Sequence, residues 1–167
     1  IARPSQFLSQ YVKQYWRMDY CFPNGKEHIQ RIVPNGLFEL AFYLKDKPET
    51  NDPKKAIGER IILSGQIPTY HDLKVSGNLS LFAIYFLPHG LSVFLDLPLK
   101  ELFNCSVPLK YIVKDVAKEL EDKLSNAGSF KQQITVAESF LISRIQKNEK
   151  NYKYDRIRHI IDIINRS

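Results

Sequence analysis

Leu79-Ser80-Leu81-Phe82-Ala83-Ile84-Tyr85-Phe86-Leu87, closed by Pro88-His89-Gly90, is the longest apolar stretch of the chain. It falls well short of the ~20 residues a membrane helix needs. Its branched and aromatic residues and its turn-forming flanks read as a β-strand. A second stretch, Phe38-Glu39-Leu40-Ala41-Phe42-Tyr43-Leu44, alternates: Phe38, Leu40 and Phe42 share one face, and Glu39, Ala41 and Tyr43 the other. Around these two lie further short segments of the same texture, Arg17–Phe22, His28–Val33, Arg60–Gly65 and Asp72–Val75. They are separated by turn signals at Pro23-Asn24-Gly25, Pro34-Asn35-Gly36, Pro68 and Gly77-Asn78. No long helical pattern intervenes between them, which points to an antiparallel sandwich or barrel rather than a βαβ sheet. The polar stretch Lys45–Lys55 reads as a surface loop.

Outward from the β body the texture is helical. Phe7, Leu8, Tyr11, Val12 and Tyr15 fall on one face of an expected helix over 5–16, with Ser5 as its cap. After Pro88, single turns are expected at Gly90–Leu95 and Pro98–Phe103. Ile112, Val116, Leu120 and Leu124, with Val113 beside them, then mark a helix over 111–125. Phe130, Ile134, Ala137, Leu141 and Ile145 mark another over 130–147. A charged linker follows, then a third amphipathic segment over 154–165 carrying Ile157, Ile160, Ile161 and Ile164. An amphipathic helix at the end of a chain cannot bury its stripe alone. The expected organisation is a β-rich unit over 1–110, a helical hairpin over 111–148 and the start of a further module over 149–167. The fold class is α+β: a cupin-like antiparallel β-barrel or sandwich with an N-terminal helix and a C-terminal helical segment.

With 44% apolar and 12% aromatic residues in 167, disordered, collagen-like and low-complexity classes are excluded. The net charge of +6 favours polyanions only weakly, because no dense Lys/Arg cluster accompanies it. Arg156, Arg158 and His159 read as an ordinary polar helix face in preference to a phosphate-contacting one. Cys21 and Cys105 form no CxxC pair and read as reduced thiols, with a disulfide left open. The chain begins at Ile1 with no signal peptide visible, and reads as a fragment or processed chain.

Enzymatic signatures are missing from the sequence. His28, His71, His89 and His159 lie far apart, whereas a cupin-type metal site needs two His one residue apart on a strand with a Glu nearby. His71 beside Asp72 reads as a surface pair. There is no GxSxG elbow, no GxGxxG and no P-loop. Glu119 and Glu121 read as solvated charge. No cofactor, metal or catalytic residue is expected.

The aromatic load of the β part reads in two ways, as core filler or as the wall of a small-molecule pocket. On the second reading Trp16, Glu39, Tyr43, Gln66 and Tyr85 are the lining candidates. For Glu39 a place at the solvent rim is preferred over a buried anchor. The hairpin residues Val113, Val116, Leu120, Leu124, Leu141 and Ile145 are candidates for contact with a second copy, with packing against the sheet as the alternative.

The opening Pro4-x-x-x-Leu8-x-x-Tyr11-Val12-x-x-Tyr15-Trp16 resembles the start of the N-terminal sensor domain of bacterial AraC-type transcriptional regulators. Pro34-Asn35-Gly36-Leu37-Phe38-Glu39-Leu40-Ala41-Phe42 resembles that domain's P-D-G-x-x-E-L-x-F strand pair, with Asn35 for the usual Asp. Ser64-Gly65-Gln66 and Phe86-Leu87-Pro88-His89-Gly90 resemble its later strand and turn signatures. The resemblance implies a cupin-like effector-binding domain, helices that support a homodimer, and a helix-turn-helix DNA-binding module whose first helix would be Tyr154–Arg166. It implies a cytoplasmic protein that meets DNA through that further module and does not engage membranes. The effector is left open. A cupin-type metal enzyme and a ligand-free dimerisation domain are the rival readings.

Overall fold

The computed structural model describes residues 1–23, 26–55 and 57–147. The third expected helix, the 149–167 module and Arg156, Arg158 and His159 lie outside the described residues.

The described residues form a mixed α and β structure with antiparallel sheets. The strands are β1 (Val12–Cys21), β2 (Glu27–Ile32), β3 (Phe38–Tyr43), β4 (Ile61–Ser64), β5 (His71–Ser76), β6 (Asn78–Phe86) and β7 (Ser106–Pro108). A five-stranded sheet runs in the order β1-β6-β3-β4-β7, and β2 pairs with β5 in a separate two-stranded sheet. The two sheets do not close into a barrel among the described residues. All six strands read from the sequence are present; β7 is an addition, seated on β4 through Leu63 and Val107.

β6 is the longest interior strand of the five-stranded sheet. It pairs with β1 along one edge and β3 along the other, aligning Trp16, Ala83 and Ala41 in one row and Arg17, Phe82 and Phe42 in the next. The pleat sends successive rows to opposite faces. Leu40, Phe42, Phe82, Ile84 and Phe86 enter the larger core, while Ala41, Tyr43, Leu81 and Ala83 enter a smaller cluster on the other side.

Among the described residues three α-helices accompany the sheets: α1 (Leu91–Phe94), α2 (Lys114–Asn126) and α3 (Phe130–Lys147). Ala117, Leu120 and Leu124 recur on one face of α2 and are buried, the stripe that 3.6-residue periodicity requires. The Ser129 hydroxyl accepts the Gln132 N–H at 3.2 Å at the start of α3. Both helices join the larger core, with Leu120, Leu124, Ala137 and Leu141 in one cluster with Leu40, Phe82 and Ile84. The boundary at 110/111 therefore marks a change of sequence texture and not a break in the core. Of the proposed dimer-contact residues, Val113, Leu120, Leu124 and Leu141 are buried inside the chain, and Val116 and Ile145 pack partly against the same cluster.

The expected helix over 5–16 is also corrected. Only Leu8–Gln10 forms a single 3-10 turn, and β1 begins at Val12. Tyr11, Val12 and Tyr15 are apolar at helical spacing, yet aromatic and β-branched residues fit a pleated surface better than a helix. Tyr15 is fully buried in the sheet and stacks on Phe82 at a centroid distance of 6.2 Å.

Two glycines of the sequence signatures are explained by close backbone approach. A Cβ at Gly65 would lie 1.7 Å from the Leu102 carbonyl oxygen, and one at Gly90 would lie 2.1 Å from that of Tyr11. At Asn35 the side-chain carbonyl accepts the Leu37 N–H at 2.9 Å, a turn bond that an aspartate also makes.

If α2 and α3 share the core of the sheet, Leu120→Ala and Leu141→Ala should each cost about 2–5 kcal/mol. Urea unfolding of the whole chain should show one cooperative transition shifted to lower denaturant, and sedimentation should show an unchanged oligomeric state.

Candidate functional site

The face of the five-stranded sheet that turns away from the helices borders a cavity of about 340 Å³. β2 and β5 cover it through Gln30, Ile32, His71, Leu73 and Val75, and the segment around Pro48, Lys55 and Ile57 closes another side. The volume lies at the lower end of small-molecule sites.

The strand register explains its floor. Gln14, Tyr85, Glu39, Ser64 and Ser106 lie side by side on β1, β6, β3, β4 and β7, a polar row across all five strands. The next row on this face holds Trp16, Ala83, Ala41 and Ile62, and the one beyond it Met18, Leu81 and Tyr43. One end of the floor is thus polar and the rest apolar and aromatic. The facing alanines are buried in the smaller apolar cluster, and the cavity is lined by the larger side chains around them.

Glu39 lines this cavity rather than the solvent rim. Its carboxylate accepts the Tyr85 hydroxyl at 3.1 Å. Burial pushes the Glu39 carboxyl above the usual glutamate range, and the Tyr85 hydrogen bond only partly opposes this. Burial, together with the Glu39 charge, also raises Tyr43 and Tyr85, so both remain neutral phenols. Beside them the Ser64 and Ser106 hydroxyls hydrogen-bond each other at 3.0 Å.

The remaining charges around the cavity are paired. Lys55, only 5% exposed, meets Asp52 at 3.3 Å. At the rim Arg31 donates two hydrogen bonds to Asp72, at 2.8 and 2.9 Å, and its guanidinium lies 4.0 Å from the centre of the Tyr70 ring. His71 is not the surface partner of Asp72 that the sequence suggests; it lines the cavity, and its buried Nδ1 has no hydrogen-bond partner among the described residues. Burial, reinforced by the charge of Lys55, holds His71 below its ordinary value and favours the neutral ring.

Four of the five pocket candidates, Trp16, Glu39, Tyr43 and Tyr85, are brought together here. Gln66 is not. Its amide donates to the Gly36 carbonyl at 2.5 Å, and its side chain lies by Phe38, Pro88 and Phe103 outside the cavity. The sequence also missed Lys55 and His71. Nothing in the polar Lys45–Lys55 stretch signalled that backbone bonds from Asp46 to Asn78 and between Glu49 and Lys74 tie it to the sheets.

Among the described residues no group of three or more His, Cys, Asp or Glu is placed to hold a metal ion. Cys21 and Cys105 are free thiols. No helix of the described residues is long and apolar enough to cross a membrane.

Residues 1–108 match the family described as a domain of unknown function, DUF6597. The chain belongs to that family. The match ends at the close of β7, so the five-stranded sheet, its cover and the cavity all fall within this DUF6597 domain. No curated protein and no solved structure matches the chain.

The raised Glu39 carboxyl gives the chain a definite pH response. The folded state holds the Glu39 proton where the unfolded state has already lost it, so folding stability falls as pH rises from the ordinary glutamate value, ~4.3. Glu39→Gln should remove this cost. Urea midpoints should coincide for wild type and variant below that pH, and the variant should become the more stable as pH approaches neutrality.

Proposed function

We propose that this DUF6597 chain is the effector-sensing region of an AraC-type transcription regulator, in which a cupin-like β body holds a small molecule and the helices pass its presence onward. The observation that carries the reading is that one sheet serves both tasks. Its one face borders the cavity and its other face is the bed of α2 and α3. A ligand seated against Glu39 or Tyr85 presses on strands whose opposite residues, Leu40, Phe42 and Ile84, pack in the core those helices share.

Polar ties cross the same junction. The Tyr15 hydroxyl donates to Glu138 of α3 at 3.2 Å, the Ser5 N–H reaches the same oxygen at 2.8 Å, and Arg144 donates to the Phe94 carbonyl at 3.2 Å. Coupling of effector to DNA in such a switch requires a differential affinity of typically ~1–3 kcal/mol between two arrangements of these elements. A homodimer, as such regulators form, would use the outer surfaces of α2 and α3, because their inner faces are spent on the sheet. DNA contact in such regulators falls to a helix-turn-helix module, which would lie outside the described residues. The sequence signatures favour this reading over an enzyme of the cupin type, whose paired histidines the chain lacks.

Trp16 is the chain's single tryptophan and lines the cavity, so its emission reports occupancy. Titration with a panel of purified metabolites should give a saturable change for the effector. Val75→Phe, which fills the cavity from its cover, should weaken that response by about tenfold or more with thermal unfolding little changed. An effector that binds the variant as well as wild type places the ligand elsewhere.

The natural open reading frame should continue past Ser167 into two helix-turn-helix units. A frame that stops there removes the regulator reading.

A further inference from the structure

The charges around the cavity do not balance. Lys55 has Asp52 and Arg31 has Asp72, while Glu39 has only a neutral hydroxyl, from Tyr85, as its partner among the described residues. A carboxylate in a largely apolar cavity with no cation bonded to it is costly. The walls beside it are the aromatic rings of Trp16, Tyr43 and Tyr85, whose faces attract cations. Beside Glu39 the Ser64 and Ser106 hydroxyls share one hydrogen bond with each other and carry no charge. An ionised Glu39 repels an anion and attracts a cation.

We propose that the cavity takes a small organic ammonium ion, with the charged head against Glu39 between Trp16, Tyr43 and Tyr85 and the apolar remainder over Met18 and Leu81. The inference rests on the reading of the cavity as an effector site and specifies the chemical class of the effector. The cation supplies the counter-charge that the fold withholds from Glu39. Binding therefore draws Glu39 to its ionised form and releases its proton.

Several other titratable and charged groups line the cavity with Glu39. Tyr85 on β6 and Tyr43 on β3 stay neutral, Arg31 from β2 is held charged by Asp72, and Lys55 from the covering segment is paired with Asp52. His71 on β5 gains charge only in acid, where it opposes a bound cation. Both Glu39 and His71 make binding tighten as pH rises, by up to about tenfold per pH unit for a single linked proton, before reaching a plateau.

The test is calorimetry on the full chain with methylammonium, tetramethylammonium and phenethylammonium, each beside a neutral isostere; for phenethylammonium this is 2-phenylethanol. At least one cation should bind, at least about tenfold more tightly than its isostere. Glu39→Gln, checked for folding by thermal unfolding, should abolish that preference. Wild type measured below the plateau in two buffers of different ionisation heat should release protons on binding, a readout that needs no variant. A neutral isostere that binds as well as its cation, a preference that survives Glu39→Gln, or binding without proton release would overturn the proposal. If a neutral or anionic metabolite instead gives a response that Val75→Phe weakens, the effector site stands and only the ammonium assignment falls. If no compound of either panel binds, both fall.

Discussion

Strand β6 is hydrogen-bonded along both edges, and its strict alternation governs everything else in the structure. Phe82, Ile84 and Phe86 point one way and are fully buried; Leu81, Ala83 and Tyr85 point the other. A one-residue slip would exchange the two sets and put the large aromatics where the cavity now lies. Because three bulky residues on the first face need cover, α1, α2 and α3 are drawn onto it. The second face is covered by the smaller sheet of β2 and β5, which packs on Ala41 and Ala83 through Val75 and leaves the cavity between the larger side chains beside them.

This asymmetry separates stability from binding. The helical side holds most of the buried apolar side chains, including Tyr15, Phe42, Phe82, Phe86 and Phe94, so it supplies most of the hydrophobic driving force. The cavity side is left free to hold groups that a tight core would reject. Glu39, neutral Tyr43 and Tyr85, and His71 all lie there, and each has a charge state or bonding capacity that burial has altered or left unfilled, while Lys55 beside them is paired with Asp52. Strongly perturbed groups around one concavity are what a functional site displays. The two sides share one sheet, whose residues alternate between them along the same strands.

Much of this arrangement is legible in local patterns. The six principal strands follow from short β-branched and aromatic runs between turns, and the two long helices from their three- and four-residue apolar spacing. The signal at residues 5–16 misled because an aromatic-rich stretch can satisfy both periods; pairing with β6, which buries Tyr15, settles the competition in favour of a strand. β7 was illegible because three residues give no periodicity, and its pairing partner is β4, some forty positions earlier. At the site, Glu39 was conspicuous as a carboxylate in an apolar strand. Lys55 and His71 were not, since polar residues in polar surroundings carry no sign of burial. Gln66 misled because it directly follows the cavity-lining Gly65, and a strand's end can turn its last side chains to either side.

The sequence by itself determined the element types, the alternation of β3 and β6, and the supply of aromatic and acidic groups, because these depend on neighbours a few residues apart. Only the tertiary structure decided which face of the sheet the helices would occupy and which the cavity. It also decided that the hairpin faces of α2 and α3 would be spent inside the chain, and that Glu39 would be left without a cation while Lys55 and Arg31 each found an acid. Those outcomes depend on contacts between residues far apart in the chain, whose energies no local pattern records.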